Sequence, residues 1–154
     1  MEITLCTKAD FDQIITDFVD FWGDERTKSL HNPFHLYEFG NTAYVVKEGD
    51  RVVGYLFGLL SQTGPVAYVK FVGVRRSYQR KGIARRLYEH FTQYARTKGC
   101  TELKAITSPT NKTSIAFHRG IAMELQGEPN EEGVPVVKDY SGPGIDRVVF
   151  LKKI

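Results

Sequence analysis

Six consecutive residues, Gln79-Arg80-Lys81-Gly82-Ile83-Ala84, lie between a strand-like run at 66–74 and a helix-like run that begins near Arg80. Small residues at Gly82 and Ala84 let a diphosphate approach the backbone. The first N–H groups of the coming helix have no intrahelical acceptors and point toward such an anion. Arg80, Lys81, Arg85 and Arg86 add positive charge at the same place. Two phosphate-binding patterns are excluded by spacing. A nucleotide-hydrolase loop needs Gly-Lys followed by Ser or Thr to hold magnesium, whereas here Lys81 precedes Gly82 and no hydroxyl follows. A dinucleotide fingerprint needs three glycines within one turn, and Gly73 with Gly82 do not supply them.

The elements around this junction follow from periodicity. Apolar residues at Ile83, Leu87, Phe91 and Ala95 recur every fourth position, so residues 80–98 are predicted to be a helix with one buried stripe. Arg85, Glu89, Gln93 and Arg96 then face water, and Gly99 ends the helix. Residues 101–107 form a short strand, parallel to 66–74 because a helix joins them. Upstream, residues 3–6 read as a strand and Thr7 as an N-cap. Phe11, Ile14, Ile15, Phe18, Val19 and Trp22 take helical spacing. A short helix is expected within 30–39, with Pro33 in its first turn. Residues 42–47 and 51–61 are β-rich and joined by Glu48-Gly49-Asp50, and with 66–74 they imply an antiparallel meander. Downstream come a turn at 108–111, a helix over 114–123, a long loop or hairpin at 127–144 and a terminal strand at 146–151.

Composition sets the frame. With 154 residues, 42% hydrophobic and 25% charged, the chain fits one α/β domain spanning 1–154. A net charge of +3, concentrated around 75–86, disfavours general nucleic-acid binding. Cys6 and Cys100 lack metal-ligand spacing and read as buried, reduced thiols, with no metal site expected. No apolar run approaches the length of a membrane helix, and the expectation is a cytoplasmic protein with no membrane or nucleic-acid partner.

Gln79, Gly82 and Ala84 satisfy the pattern [QR]-x-x-G-x-[GA], which resembles motif A of the GCN5-related N-acetyltransferase (GNAT) family. Asn111-Lys112-Thr113-Ser114-Ile115-Ala116-Phe117-His118 resembles that family's N-x-x-[AS]-x-x-[FL]-Y signature, and the element order matches over essentially the whole chain. The resemblance implies a single-domain fold with a mixed, mostly antiparallel sheet of roughly six or seven strands and about four helices. It also implies direct transfer of acetyl from acetyl-coenzyme A to a primary amine of a small molecule, amino acid or peptide. Coenzyme contacts carried over by resemblance are Val72, Gly73 and Val74 along the pantetheine, Gln79, Arg80, Lys81, Gly82, Ile83, Ala84 and Arg85 at the diphosphate, and Asn111, Ser114 and Phe117 on the later helix.

Two positions depart from the family's pattern. His118 stands where a tyrosine commonly protonates the leaving thiolate; it either donates that proton or fills space. Tyr68 stands where some members carry a basic glutamate, and a phenol is a poor base. Asp20 and Glu38 are alternative proton acceptors or ordinary solvated acids. Gly73 either admits the coenzyme or is a sheet glycine beside bulky neighbours. The acceptor pocket falls by resemblance on Phe21, Trp22, Phe34, Tyr37, Glu38 and the 138–144 segment with Tyr140, although these aromatics also suit a core. The 127–144 stretch either moves or mediates a homodimer. A non-catalytic acyl-coenzyme A sensor is the alternative to an enzyme.

Overall fold

Thr7 opens the first helix through a reciprocal cap in the computed structural model, which describes residues 1–154. Its hydroxyl accepts the Asp10 amide at 3.1 Å while the Asp10 carboxylate accepts the Thr7 amide at 3.0 Å. The helical run expected across 11–22 is two helices, α1 (Lys8–Thr16) and α2 (Phe18–Trp22). Asp17, at φ −100° and ψ 23°, leaves helical geometry between them. The break carries a reason: the carboxylates of Asp17 and Asp20 both turn onto one guanidinium, that of Arg75. After a 3-10 turn at Lys28–Leu30 comes α3 (Phe34–Phe39), for which Pro33 is the N-cap and not a first-turn residue.

The strands are β1 (Glu2–Leu5), β2 (Ala43–Glu48), β3 (Arg51–Leu60), β4 (Val66–Val74), β5 (Glu102–Thr107), β6 (Glu124–Leu125), β7 (Glu128–Pro129), β8 (Pro135–Val136) and β9 (Val148–Lys153). The main sheet has seven strands in the order β1-β2-β3-β4-β5-β9-β6, and β7 pairs β8 separately. Two further helices are α4 (Ile83–Thr97) and α5 (Lys112–Gly120). The mixed, mostly antiparallel sheet meets the expectation.

The chain divides into two compact units. The first, Met1–Leu59 with Lys70–Tyr94, holds β1, β2, β3, the second half of β4, α1 to α3 and most of α4. β1 and β3 flank β2 in antiparallel register. Its core gathers Phe11, Ile14, Val45, Val52, Tyr55 and Phe57, with Trp22 and Phe71 packed against it. The stripe expected on α4 is buried as drawn: Ile83, Leu87 and Phe91 are 3% exposed or less, while Arg85, Glu89 and Gln93 face water. Each such apolar side chain contributes roughly 1.5–3 kcal/mol. The helix sits hard on β3. A Cβ on Gly54 would lie 2.6 Å from Ile83 Cγ2, and one on Gly58 2.6 Å from the Phe91 ring.

The second unit, Leu60–Val69 with Ala95–Ile154, holds the first half of β4, β5, α5 and β6 to β9. β4 runs parallel to β5, from Val66 opposite Glu102 to Val69 opposite Ala105. β9 pairs antiparallel with β5 and carries the short β6 on its other edge. Gly99, at φ 83°, lies just past the end of α4 as expected. The helix read over 114–123 is displaced to Lys112–Gly120: Asn111 caps its start and Ile121, at φ −101° and ψ 20°, ends it. The 127–144 stretch contains the β7–β8 hairpin. Cys100 is buried, but Cys6 is only half-buried.

Candidate active site

The turn between β4 and α4 is built from a buried anchor outward. Arg75, the residue after β4, is 2% exposed. Its guanidinium donates to the Val52 carbonyl, to Gln13 at 3.2 Å and to the carboxylates of Asp17 at 2.8 Å and Asp20 at 3.1 Å. The Phe21 ring lies 4.7 Å below it. Two carboxylates and a ring face compensate the buried cation. The chain then makes a 3-10 turn at Arg76–Tyr78, and Gln79 Nε2 folds back to donate to the Val74 carbonyl at 3.1 Å.

Arg80 and Gly82 follow with φ of 62° and 80°. Two left-handed residues so close together cannot continue a helix, which is why α4 begins at Ile83 and not near Arg80. The Gly82 carbonyl accepts the Arg86 amide at 3.1 Å, so Gly82 caps the helix, and amides in the first turn of a helix so capped point out of its N-terminal end. Nothing lies within 4 Å of where a Gly82 Cβ would stand. Gln79, Arg80, Lys81, Gly82 and Arg85 are exposed, and Ala84 is half-buried. The Lys81 ammonium lies 5.2 Å from the Tyr78 ring, whose hydroxyl donates to Glu48. Arg86 is committed elsewhere, donating to the Met1 carbonyl at 2.8 Å. This surface presents backbone donors, open space and cations together, which suits a diphosphate. Ile83 contributes only its backbone, because its side chain is core.

Along β4, Phe71, Val72 and Val74 are half-buried. Gly73 has a packing reason: a Cβ there would lie 2.7 Å from Tyr55 Cε1 and 3.0 Å from Cζ. Of its two readings, the sheet glycine beside a bulky neighbour is the one with a visible cause.

The residues read as acceptor walls separate into two kinds. Phe21 is 6% exposed and packs edge-on to Tyr55, so it is core, and Asp20 is engaged by Arg75 and, at 3.9 Å, by Arg51. Neither is free for an amine. Phe34 and Tyr37 are 56% and 68% exposed, Glu38 is exposed and Trp22 is half-buried.

In the second unit, Asn111 Oδ1 accepts the Ser114 amide at 3.1 Å, so it caps α5. Ser114 and Phe117 are half-buried. His118 is 4% exposed and stacks on Phe150 at 4.1 Å. Its Nδ1 lies 2.7 Å from the Ser114 carbonyl, an acceptor only, so the neutral ring carries its proton there and Nε2 has a lone pair. Burial lowers its pKa. A proton-donating Nε2 would require the imidazolium that burial opposes, so the geometry supports packing over acid catalysis. Tyr68 is half-buried; burial first, and Tyr140 second, push its phenol up to about 12. It is therefore a hydrogen-bond donor at neutral pH and an even poorer base than the sequence suggests. Tyr140, 37% exposed, lies 5.1 Å from the Lys104 ammonium. Cys6 is pushed up to about 12, chiefly by burial and then by Asp10.

Sequence reasoning missed two groups. One is Arg75, whose signal was a pair of acids, Asp17 and Asp20, each just before a buried phenylalanine, Phe18 or Phe21, in an otherwise apolar run. The other is His31, 7% exposed, which bonds Tyr55 and stacks on Phe71 at 3.9 Å. Nothing local marks it.

A family model described as "Acetyltransferase (GNAT) family" matches residues 11–122. Among curated proteins, an aminoglycoside N(6')-acetyltransferase type 1 of Acinetobacter genomosp. 13 is 27% identical over 97 residues, covering 63% of this chain and 64% of the relative. The chain thus spans somewhat less than two thirds of that relative's length. Among solved structures, Ard1 from Thermoplasma volcanium has a TM-score of 0.78 at 13% identity, covering 99% of this chain and 97% of that one. An aminoglycoside 6'-N-acetyltransferase complexed with coenzyme A has a TM-score of 0.70 at 13% identity, with coverage of 99% and 97%. These structural likenesses establish a shared fold.

Proposed function

The chain belongs to the acetyltransferase (GNAT) family, whose model matches it over residues 11–122, and from that premise we propose that it transfers acetyl from acetyl-coenzyme A to a primary amine. The observation that carries this reading is the turn before α4. The N-terminal end of α4, an open face above Gly82 and the cations of Arg80, Lys81 and Arg85 meet the chemical needs of the coenzyme's diphosphate. Val72, Val74, Asn111, Ser114 and Phe117 complete the proposed coenzyme contacts, and the chain acts as one catalytic domain over 1–154.

The amine attacks the thioester carbon directly, the thiolate leaves, and no acetyl-enzyme forms. Support comes from the thiols: Cys6, pushed up to about 12, is a poor nucleophile at neutral pH, and Cys100 is buried. The leaving thiol has an ordinary pKa near 8.5 and needs little help, which relieves His118 of an acid's role. The attacking amine carries the larger barrier. With a pKa near 10 it is about one part in a thousand neutral at pH 7, a penalty of roughly 4 kcal/mol. Tyr68 stays protonated and orients by donating a hydrogen bond; the proton itself goes to solvent. Trp22, Phe34, Tyr37, Glu38 and Tyr140 are the proposed acceptor contacts. The acceptor class is a small-molecule or peptide amine, and the setting is cytoplasmic, consistent with two free thiols and with no helix long and apolar enough to cross a membrane.

The test pairs calorimetric titration of acetyl-coenzyme A with thiol release over an aminoglycoside, free amino acids and alanine-initiated peptides. Binding together with amine-stimulated release is expected. Tight binding that no amine converts to turnover would leave a sensor, and no binding would overturn the assignment.

A further inference from the structure

Four groups from separated segments of the first unit form one directed chain of hydrogen bonds. The direction follows from chemistry. The Thr27 carbonyl only accepts, and His31 Nδ1 lies 2.9 Å from it, so Nδ1 carries the proton and Nε2 a lone pair. Tyr55 Oη, 2.9 Å from Nε2, must therefore donate to it. The indole Nε1–H of Trp22 only donates, and it donates to Tyr55 Oη. Trp22 thus donates to Tyr55, Tyr55 to His31 and His31 to Thr27, with every proton assigned. Burial lowers the imidazole to about 4 and raises the phenol, so both stay neutral and the order persists across physiological pH.

The same two rings also touch β4. Tyr55 occupies the space that a Gly73 side chain would take, and His31 lies flat on Phe71, with ring planes 16° apart. One hydroxyl therefore joins the end of α2, the 27–31 segment and residues 71–73 of β4. On the proposed function these are an acceptor wall, through Trp22, and the strand assigned to the pantetheine.

We propose that Tyr55 is a positioning residue for acetyl transfer: its hydroxyl, held between Trp22 and His31, fixes the amine-binding wall against residues 71–73 of β4. The inference rests on the acetyltransferase reading. It assigns Tyr55 no contact with substrate; it acts through Trp22 and through His31 with Phe71. Loss of the hydroxyl loosens the amine's approach while leaving the diphosphate turn at 79–84 intact.

The experiment compares wild type with Tyr55→Phe, His31→Leu and His31→Gln, the last keeping an acceptor oxygen near the place of Nε2. Tyr55→Phe is expected to raise KM for the best wild-type acceptor, or lower kcat, by roughly ten- to a hundredfold, in keeping with displacements of about 1 Å at a reacting pair. The dissociation constant of coenzyme A, measured by calorimetry, is expected to stay within about twofold, since the turn is untouched. Trp22 is the single tryptophan of the chain, so the emission spectrum reports on this indole alone and is expected to shift in Tyr55→Phe and His31→Leu but not in His31→Gln. The double variant Tyr55→Phe/His31→Leu is expected to be no worse than either single one, as for groups acting as a unit. Unchanged acceptor kinetics in Tyr55→Phe, or equal losses for acceptor and coenzyme, would overturn the proposal. If Tyr55→Phe fails to fold, the His31→Leu and His31→Gln pair decides: equal kinetics in the two overturn it. Wild type that binds no coenzyme defeats the functional reading itself, an outcome visible before any variant is made.

Discussion

Replacing Arg80 by glycine is expected to move two measurements in opposite directions. Arg80 has φ 62°, a conformation in which an L side chain crowds its own backbone at a cost of about 1–2 kcal/mol. Glycine removes that strain but adds freedom to the unfolded chain worth roughly 0.5–1 kcal/mol. The balance is a gain of up to about 1.5 kcal/mol, a rise of up to roughly 6 °C in melting temperature for a chain of this size. Meanwhile an exposed guanidinium is lost beside the proposed diphosphate site. A charge-assisted contact at so exposed a place is worth about three- to tenfold in affinity, and the loss should shrink as salt is raised. Arg80→Ala separates the terms: it removes the charge but keeps the strain, so affinity falls without the gain in stability. Differential scanning calorimetry and isothermal titration with acetyl-coenzyme A read the two effects. A lower melting temperature in Arg80→Gly would refute the strain argument, and an unchanged dissociation constant would refute the charge argument.

Other substitutions and conditions probe separate parts of the site. Gly82→Val meets no neighbour but forces a β-branched residue to φ 80°, so about 1–2 kcal/mol of stability and at least tenfold in coenzyme affinity are expected to go; titration showing wild-type affinity would remove Gly82 from the cradle. His118→Phe keeps the stack on Phe150, and kcat is expected to stay within about threefold with the same pH profile; a lost inflection near neutrality would restore the imidazole as an acid. The rate under subsaturating amine is expected to climb about tenfold per pH unit from 6 to 9, tracking the neutral fraction of the acceptor. His31 and His35 are both lowered by burial to about 4, below the unfolded value of 6.5. The unfolded chain therefore binds protons first, and denaturant stability is expected to be full above pH 6.5 and to fall between 6.5 and 4 by about 1.4 kcal/mol per unit per histidine. A flat stability profile over that window would contradict their neutral burial.

Legibility in the sequence followed the range of the interactions. The Thr7 cap, the α4 stripe and its end at Gly99 are set by neighbours within one or two helical turns, and periodicity found them. The parallel β4–β5 pair followed from a connection rule. The break at Asp17 was hidden because its cause, the Arg75 guanidinium, stands far along the chain. Likewise Gly73 was ambiguous until Tyr55 was seen beneath it, and His31 was silent because its partners belong to β3 and β4. At the site, the motif picked out the turn before α4, but the left-handed pair Arg80 and Gly82 moved the helix start by three residues' worth of chain. Positions 68 and 118 were legible as departures from the family's pattern, whereas their chemistry depended on burial: Tyr68 driven up, His118 driven down and tied to a carbonyl.

The state of the two sulfurs has a practical consequence. A colorimetric disulfide reagent reacts with thiolates, and at neutral pH Cys6, held near 12, offers almost none, while Cys100 is shut away and raised by burial as well. Coenzyme freed by turnover would have an ordinary thiol and would colour the solution at once. Absorbance in a continuous assay would therefore count product against a dark protein background, and any slow colour from the folded chain alone would time the opening of the segments that shelter its sulfurs.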